Sequence, residues 1–420
     1  MCLFTSQTTA GPAATAPAGL WQHLPPPAAG LKISVIIPAK DEAANLPATL
    51  AALATQLDLQ GEPLPFSCYE ILVLANNCRD QTAAVVRAFG RQYPALALYV
   101  AETTLLAAEA HVGRARCLLM DEACRRLELT AGPAGIIAST DADTRVAPTW
   151  LAAMQHEFAA GADAVGGRIL PEAAAPHGGT VRRTHLRDAH YRLLRARLEA
   201  LLDPDPADPW PRHHQHFGAS LGITAAAYRR VGGLPVVPFL EDEALCQALR
   251  RHDLQVRHSP KVRVVTSARR EGRVEVGLSW QLREWDKLAR QHRDPVVENG
   301  LSLVAEWQGR QQLRQLWNQA QQRAGRPPLC VQLAATLSVP AGALAQQLLA
   351  SASFGVLWEW VQQHRARWRR HRLVPLPQAI LELRQLVARY EKDAAVSGVA
   401  LAAGQQIEPV LRRPVAMHVP

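Results

Sequence analysis

Four apolar runs separated by segments of helical length constrain this chain more than any other feature. They are Ile33-Ser34-Val35-Ile36-Ile37-Pro38, Glu70-Ile71-Leu72-Val73-Leu74-Ala75, Leu96 to Ala101, and Ile136-Ile137-Ala138. The first is a continuous apolar run, the mark of a strand covered on both faces of a parallel sheet. Between them lie helix-compatible segments, Glu42 to Leu57 and about Asp80 to Gln92. The third intervening segment is the best patterned. Val112, Ala115, Leu119, Ala123 and Leu127 recur at spacings of three and four and give one apolar stripe. Strands alternating with such helices imply right-handed β-α-β crossovers and a doubly wound α/β sheet. Asp163 to Ile169, Gly218 to Ile223, Leu254 to His258 and Val262 to Thr266 read as further strands.

The fourth run ends in Ser139-Thr140-Asp141-Ala142-Asp143. In an extended segment, side chains two apart share one side, so the two carboxylates converge on one hard cation. Open α/β sheets place their ligands at the C-terminal ends of strands. Mg²⁺ and Mn²⁺ take oxygen ligands and share them with phosphates, so an Asp-x-Asp here suits a metal holding a diphosphate. Taken alone, the triplet is weak evidence, because acidic pairs after a strand are usually loop solvation or a helix cap.

The 420 residues suffice for one large α/β domain with an appendage, or for two domains. A formal charge of +9 favours anionic partners without choosing among them. The seven cysteines form no C-x-x-C pair, which argues for reduced thiols in the cytoplasm and against a zinc site. Residues 1–30, rich in Ala, Pro, Thr and Gly, read as a disordered leader. Residues 31–294 form the α/β domain and 295–420 a helical C-terminal region rich in Gln, Arg, Leu and Ala.

Within that region, residues 327–358 carry no charge, and Arg365, Arg367, Arg369, Arg370 and Arg372 follow with Trp368 among them. Pro340, Gln332, Gln346 and Gln347 disfavour a spanning helix. Two readings stay open: helix–helix packing, and peripheral membrane contact of the Arg/Trp cluster at anionic headgroups.

Five features then fall in one order: Pro38-Ala39-Lys40-Asp41-Glu42, Asn76-Asn77-Cys78-Arg79-Asp80, Gly113-Arg114-Ala115-Arg116, Asp141-Ala142-Asp143, and Glu241-Asp242-Glu243 after Gly232-Gly233. This series resembles the family 2 glycosyltransferases over roughly residues 31–290. The resemblance implies the GT-A nucleotide-diphospho-sugar transferase fold, a Rossmann-like, mostly parallel sheet with helices on both faces, followed here by a helical appendage. It implies transfer of a sugar from a nucleotide-diphosphate donor to an unidentified acceptor, assisted by Mn²⁺ or Mg²⁺, with no nucleic-acid partner. The rival reading is a non-catalytic nucleotide-binding or scaffold protein on the same fold.

Residue by residue, the resemblance puts Pro38, Ala39 and Glu42 in the nucleoside pocket, with Asn76 near the base. It sets Gly113, Arg114 and Arg116 over the nucleotide, where an Arg fork pairs with diphosphate oxygens. Asp143 becomes the metal ligand, and Asp141 contacts ribose or the metal. Asp242 becomes the general base of an inverting transfer, with Glu241 the alternative. Gln281-Leu282-Arg283-Glu284-Trp285 partly matches a processive-synthase segment, and Glu284 breaks that match. His214 and His216, before the Phe217 segment, fall where relatives build the acceptor pocket. They lack the helical spacing of zinc hydrolases.

Overall fold

The computed structural model describes residues 19–172, 179–267, 278–322, 331–365 and 373–396. The α/β part runs β1 (Ile33–Ala39), α1 (Leu46–Ala54), β2 (Tyr69–Asn76), α2 (Thr82–Gln92), β3 (Ala97–Thr103), α3 (Val112–Glu128) and β4 (Ile136–Ser139). It continues with β5 (Thr144–Val146), α4 (Trp150–Ala159), β6 (Ala164–Pro171), α5 (Gly179–Leu202), β7 (Leu221–Thr224), α6 (Ala225–Arg230), α7 (Glu241–Arg251) and β8 (Val256–Thr266). The C-terminal part holds α8 (Leu278–Arg290), β9 (Val296–Glu298), α9 (Gly300–Gln322), α10 (Val331–Leu337), α11 (Ala341–Ala350), α12 (Phe354–Arg365), β10 (Leu373–Pro375) and α13 (Leu376–Val396).

The eight strands β1–β8 form one sheet in the order β3-β2-β1-β4-β7-β6-β8-β5. β3, β2, β1 and β4 are mutually parallel, the arrangement expected from their continuous apolar runs. β7 then enters antiparallel between β4 and β6. β1 is buried along its whole length. Because strand side chains alternate, Ile36 joins a core with α3, α6 and α7, while Ile33, Val35 and Ile37 join another with α1, α2 and α4. Helices therefore cover both faces.

Several boundaries differ from the sequence reading. The two strands expected at Leu254–His258 and Val262–Thr266 merge into one, β8, which begins only at Val256 and whose register against β6 shifts between Gly167 and Arg168. Pro260 falls inside that irregularity, where a missing N–H costs no ladder bond. Gly218–Ser220 winds as a 3₁₀ turn, so the strand expected from Gly218 begins only at Leu221. Residues 19–30 are not a free leader: Leu20, Trp21 and Leu24 pack against the first core. Arg126 fixes the segment by donating to the Pro25 carbonyl (2.9 Å) while it pairs with buried Glu70 (2.6 Å).

The division at residue 295 also cuts through a shared core. Tyr191, Leu198 and Leu202 of α5 pack with Leu303 and Trp307 of α9 and with Leu376, Ile380 and Leu383 of α13. A second helical core joins α9 to α10, α11 and α12 through Leu313, Leu337, Leu348, Leu357 and Val361. Leu333, Leu337, Leu344, Leu348, Leu357 and Trp358 of the uncharged stretch are thus buried between helices. Among the described residues no single helix is long and apolar enough to cross a membrane. α10 and α11 together pass on length and composition, but they meet at 96°. Arg365 is buried beside Glu306, and the rest of the Arg/Trp cluster, 366–372, lies outside the described residues.

The helical part docks onto α7. Asp253 accepts from the backbone N–H groups of Phe354 and Gly355 at the start of α12. Arg251 pairs with Glu359. A Cβ at Gly355 would lie 1.7 Å from the Arg250 carbonyl, so only glycine permits this approach.

Candidate active site

The ends of β1, β2 and β4 line up along one edge of the sheet. Ala39 is in register with Ala75, and Ile36 with Ser139. Pro38, Ala39 and Asn76 sit at that edge, buried or nearly so. Beyond them the two loops are stitched together. Glu42 N donates to Thr82 Oγ1 (2.9 Å), Ala43 N to Asp80 Oδ2 (3.0 Å), and Asp41 N to Cys78 Sγ (3.3 Å). Glu42 is buried and accepts from Asn45 Nδ2 (2.6 Å). Asp41, Cys78 and Asp80 are the one group of three ligand-type side chains that converges among the described residues. Their oxygens and sulfur accept from backbone N–H groups of the two loops.

Asp141 and Asp143 do not lie in an extended segment. Thr144 N donates to Asp141 O (3.1 Å), so the triplet closes a β-turn between β4 and β5. Thr49 Oγ1 pins this turn to α1 through the Ala142 carbonyl (2.9 Å), and Ser267 N donates to Asp143 O (3.2 Å). Both carboxylates are half-buried.

Arg116 joins this turn to α7. It is 3% exposed. Its Nη2 donates to Asp141 Oδ1 (3.0 Å), its Nε to Glu241 Oε1 (2.9 Å), and its Nη1 to Ser139 Oγ (2.6 Å) and Gly218 O (3.1 Å). Burial works against the charged guanidinium. Asp141 and Glu241 more than offset it, so Arg116 holds its proton more tightly than usual. A Cβ at Gly218 would lie 2.4 Å from the guanidinium carbon, so glycine is what leaves Arg116 its place. Gly113 has a similar role: a Cβ there would lie 2.3 Å from Val237 O and 3.3 Å from Glu241 Cβ. Arg114 is buried, with Nε 3.6 Å from Glu109.

α7 opens on Leu240 at φ +60°, a left-handed conformation unfavourable for a branched residue and often found at functional sites. Glu241, Asp242 and Glu243 fill its first turn, where the helix dipole favours negative charge. Asp242 is held by backbone: Gly218 N donates to Oδ2 (2.9 Å) and Glu243 N to Oδ1 (2.8 Å). Burial, then the neighbouring Glu241 carboxylate, push Asp242 up to about 6.

The histidines before the 3₁₀ turn are mostly committed to protein partners. His213 Nε2 meets Ser259 O (3.1 Å) and its Nδ1 accepts from Gln215 N (3.0 Å); burial pushes this ring down to about 3. His214 is half-buried, and burial followed by Arg192 lowers it well below the usual range. His216 is buried, with Nε2 2.7 Å from Glu243 Oε2.

The structure therefore brings Asp141 and Glu241 together on the Arg116 guanidinium, with Asp242 next to Glu241 in the first turn of α7 and Gly113 close to Glu241 Cβ. Ser139 and Gly218, which sequence reasoning gave no role, complete that cluster. Glu243 was seen as part of the acidic triplet but given no function. No local signal in the sequence marks Ser139 or Gly218, because their role depends on β7 entering beside β4.

No known family profile matches the chain, and no curated protein matches it. Among solved structures it is similar to the mannosyltransferase PcManGT from Pyrobaculum calidifontis in complex with GDP-Man and Mn²⁺. That likeness has 17% identity and a TM-score of 0.38, covering 91% of this chain and 92% of the other. It is similar to residues 1–349 of S. aureus TarS at 13% identity and a TM-score of 0.40, covering 86% and 92%. Glucosyl-3-phosphoglycerate synthase from Mycobacterium tuberculosis is similar at 19% identity and a TM-score of 0.34, covering 63% and 81%. With TM-scores below 0.5, none of these likenesses decides the chemistry of this chain.

Proposed function

We propose that the chain is a metal-assisted glycosyltransferase of GT-A type, resembling family 2, which takes its sugar from a nucleotide-diphosphate donor. The observation that carries this reading is the Arg116 bridge, which puts the Asp-x-Asp turn and the acidic start of α7 in one cluster. Asp141 and Asp143 offer only carboxylate oxygens, a donor set that fits Mg²⁺ or Mn²⁺. When bound, such an ion acts as a Lewis acid on the departing diphosphate. Pro38, Ala39, Glu42 and Asn76 line the sheet edge where the nucleoside would rest.

Asp242 is the general base of a single inverting displacement. It takes the proton from an acceptor hydroxyl as that oxygen bonds to the anomeric carbon and the sugar–diphosphate bond breaks. A carboxyl pushed up to about 6 is well matched to this task near neutral pH, ionised yet a stronger base than a free aspartate. Arg116 is already bonded to Asp141 and Glu241, so its role is to fix the two acids relative to each other, and diphosphate binding falls to other groups. His214 is the nearer candidate for acceptor contact, because His216 is bonded inward to Glu243.

A panel of nucleotide-diphospho-sugars with Mn²⁺, read by release of the nucleoside diphosphate, tests the proposal. Release that depends on Mn²⁺ supports it. Tight nucleotide binding without release from any donor contradicts it and favours a non-catalytic nucleotide-binding protein.

A further inference from the structure

Behind the first turn of α7 runs a buried chain of four titratable side chains. Asp208 Oδ2 meets His258 Nδ1 at 2.8 Å, His258 Nε2 meets His216 Nδ1 at 3.4 Å, and His216 Nε2 meets Glu243 Oε2 at 2.7 Å. Asp208, His216 and His258 are all buried. Asp208 also accepts from Arg257 Nη1 (2.9 Å), Arg212 Nη1 (3.2 Å) and the His258 backbone N–H (2.9 Å), so it serves as a carboxylate and His258 must donate to it from Nδ1.

Counting protons along this chain leaves it one short. Each of the three links needs one hydrogen. Two neutral imidazoles supply two. The third hydrogen sits on one of three groups: a doubly protonated His258 donating to Asp208 and His216, a doubly protonated His216 donating to His258 and Glu243, or a protonated Glu243. Asp208 already has two guanidinium partners, Arg212 and Arg257, so charge balance places the extra proton at the other end of the chain, on His216 beside the Glu243 carboxylate.

The surroundings agree. Burial opposes charge on His216, yet Cys246 and Glu243 on α7 overcome it and raise the ring to about 10 despite Arg250 nearby. Burial lowers His258, and the Asp208 bond offsets this only in part. Burial raises Glu243, but the His216 bond outweighs it and holds the carboxyl down at about 2.

Asp242 thus stands between two acids that each own a cation: Glu241 has Arg116, and Glu243 has His216. We propose that His216 is a positioning residue for Asp242, carrying the extra proton of the Asp208–His258–His216–Glu243 chain and offsetting the Glu243 charge beside the base. The role in catalysis rests on the reading of Asp242 given above; the proton count does not. Removing the imidazolium leaves a bare carboxylate next to Asp242, which raises its affinity for a proton.

The test uses the full chain without donor or acceptor, so a failure of the glycosyltransfer reading leaves it interpretable. Long-range ¹⁵N–¹H spectra of histidine-labelled protein at pH 7 to 8.5 should show one ring protonated on both nitrogens, missing in His216→Gln. A ring protonated on Nδ1 alone should be missing in His258→Gln. The Asp242 carboxyl, followed by ¹³C shift and assigned with Asp242→Asn, should titrate near 6 in the wild type. In His216→Gln its midpoint should rise by at least about half a unit, a threefold gain in proton affinity. It should fall back toward the wild type in His216→Gln/Glu243→Gln. A neutral His216 ring in the wild type overturns the proposal, and so does one Asp242 midpoint shared by all three proteins.

Discussion

One guanidinium, that of Arg116, bonds Asp141 on the turn after β4 at 3.0 Å and Glu241 at the start of α7 at 2.9 Å. Removing it would leave Glu241, 3% exposed, as an uncompensated buried charge. Arg116→Met should therefore cost about 3–5 kcal/mol in urea unfolding. Arg116→Met/Glu241→Gln should recover part of that loss. A cost under about 1 kcal/mol for the single variant, the surface-pair range, would show that the bridge does not hold these elements together.

The pH dependence of turnover should carry the signature of Asp242. Only its ionised form takes a proton, so kcat/KM should fall as pH drops through about 6. Glu241→Gln removes the neighbouring charge that helps raise Asp242, and should move this acid limb to lower pH. An acid limb near 4 in the wild type would argue against Asp242 as the base.

The helical C-terminal region steadies α7 through the contact at Gly355. Gly355→Ala drives a Cβ into the Arg250 carbonyl and should destabilise the protein by about 1–3 kcal/mol, read from the thermal or urea midpoint. Gly342→Ala, where a Cβ meets nothing within 4 Å, is the control and should be neutral or slightly stabilising.

His216 also links pH to stability. Its folded-state value, about 10, lies above its ordinary 6.5, so its contribution is complete below 6.5 and is lost as pH rises through 10. The stability gap between wild type and His216→Gln should accordingly be largest near pH 6 and narrow steadily toward pH 10. A gap that stays constant over that range would mean the ring carries no extra proton in the folded protein.

Much of this architecture was legible because burial on both sheet faces writes continuous apolar runs, as in β1 and β2, that need no tertiary information to read. The same holds for the stripe of α3. The Asp-x-Asp triplet was legible as a pair of carboxylates after a strand but not as a turn, since the turn closed by Thr144 N is held by Thr49 and Ser267 from distant segments. α5 escaped notice because its apolar residues do not fall on one stripe, Leu186 and Leu193 being exposed, and the buried ones find their partners on α9 and α13, about a hundred or more residues on. His258 read only as the end of a strand, and nothing in the sequence singled out Asp208. Only the fold brings them into one chain with His216 and Glu243.

The central claim is that the Asp-x-Asp turn and the start of α7 serve a single reaction. Nucleoside diphosphate release, measured side by side in wild type, Asp143→Ala and Asp242→Asn with Mn²⁺ and a turned-over donor, tests it most directly. Both variants should fall by about a hundredfold or more, with Asp242→Asn still binding nucleotide in a Mn²⁺-dependent way. Undiminished release by Asp143→Ala would contradict the account.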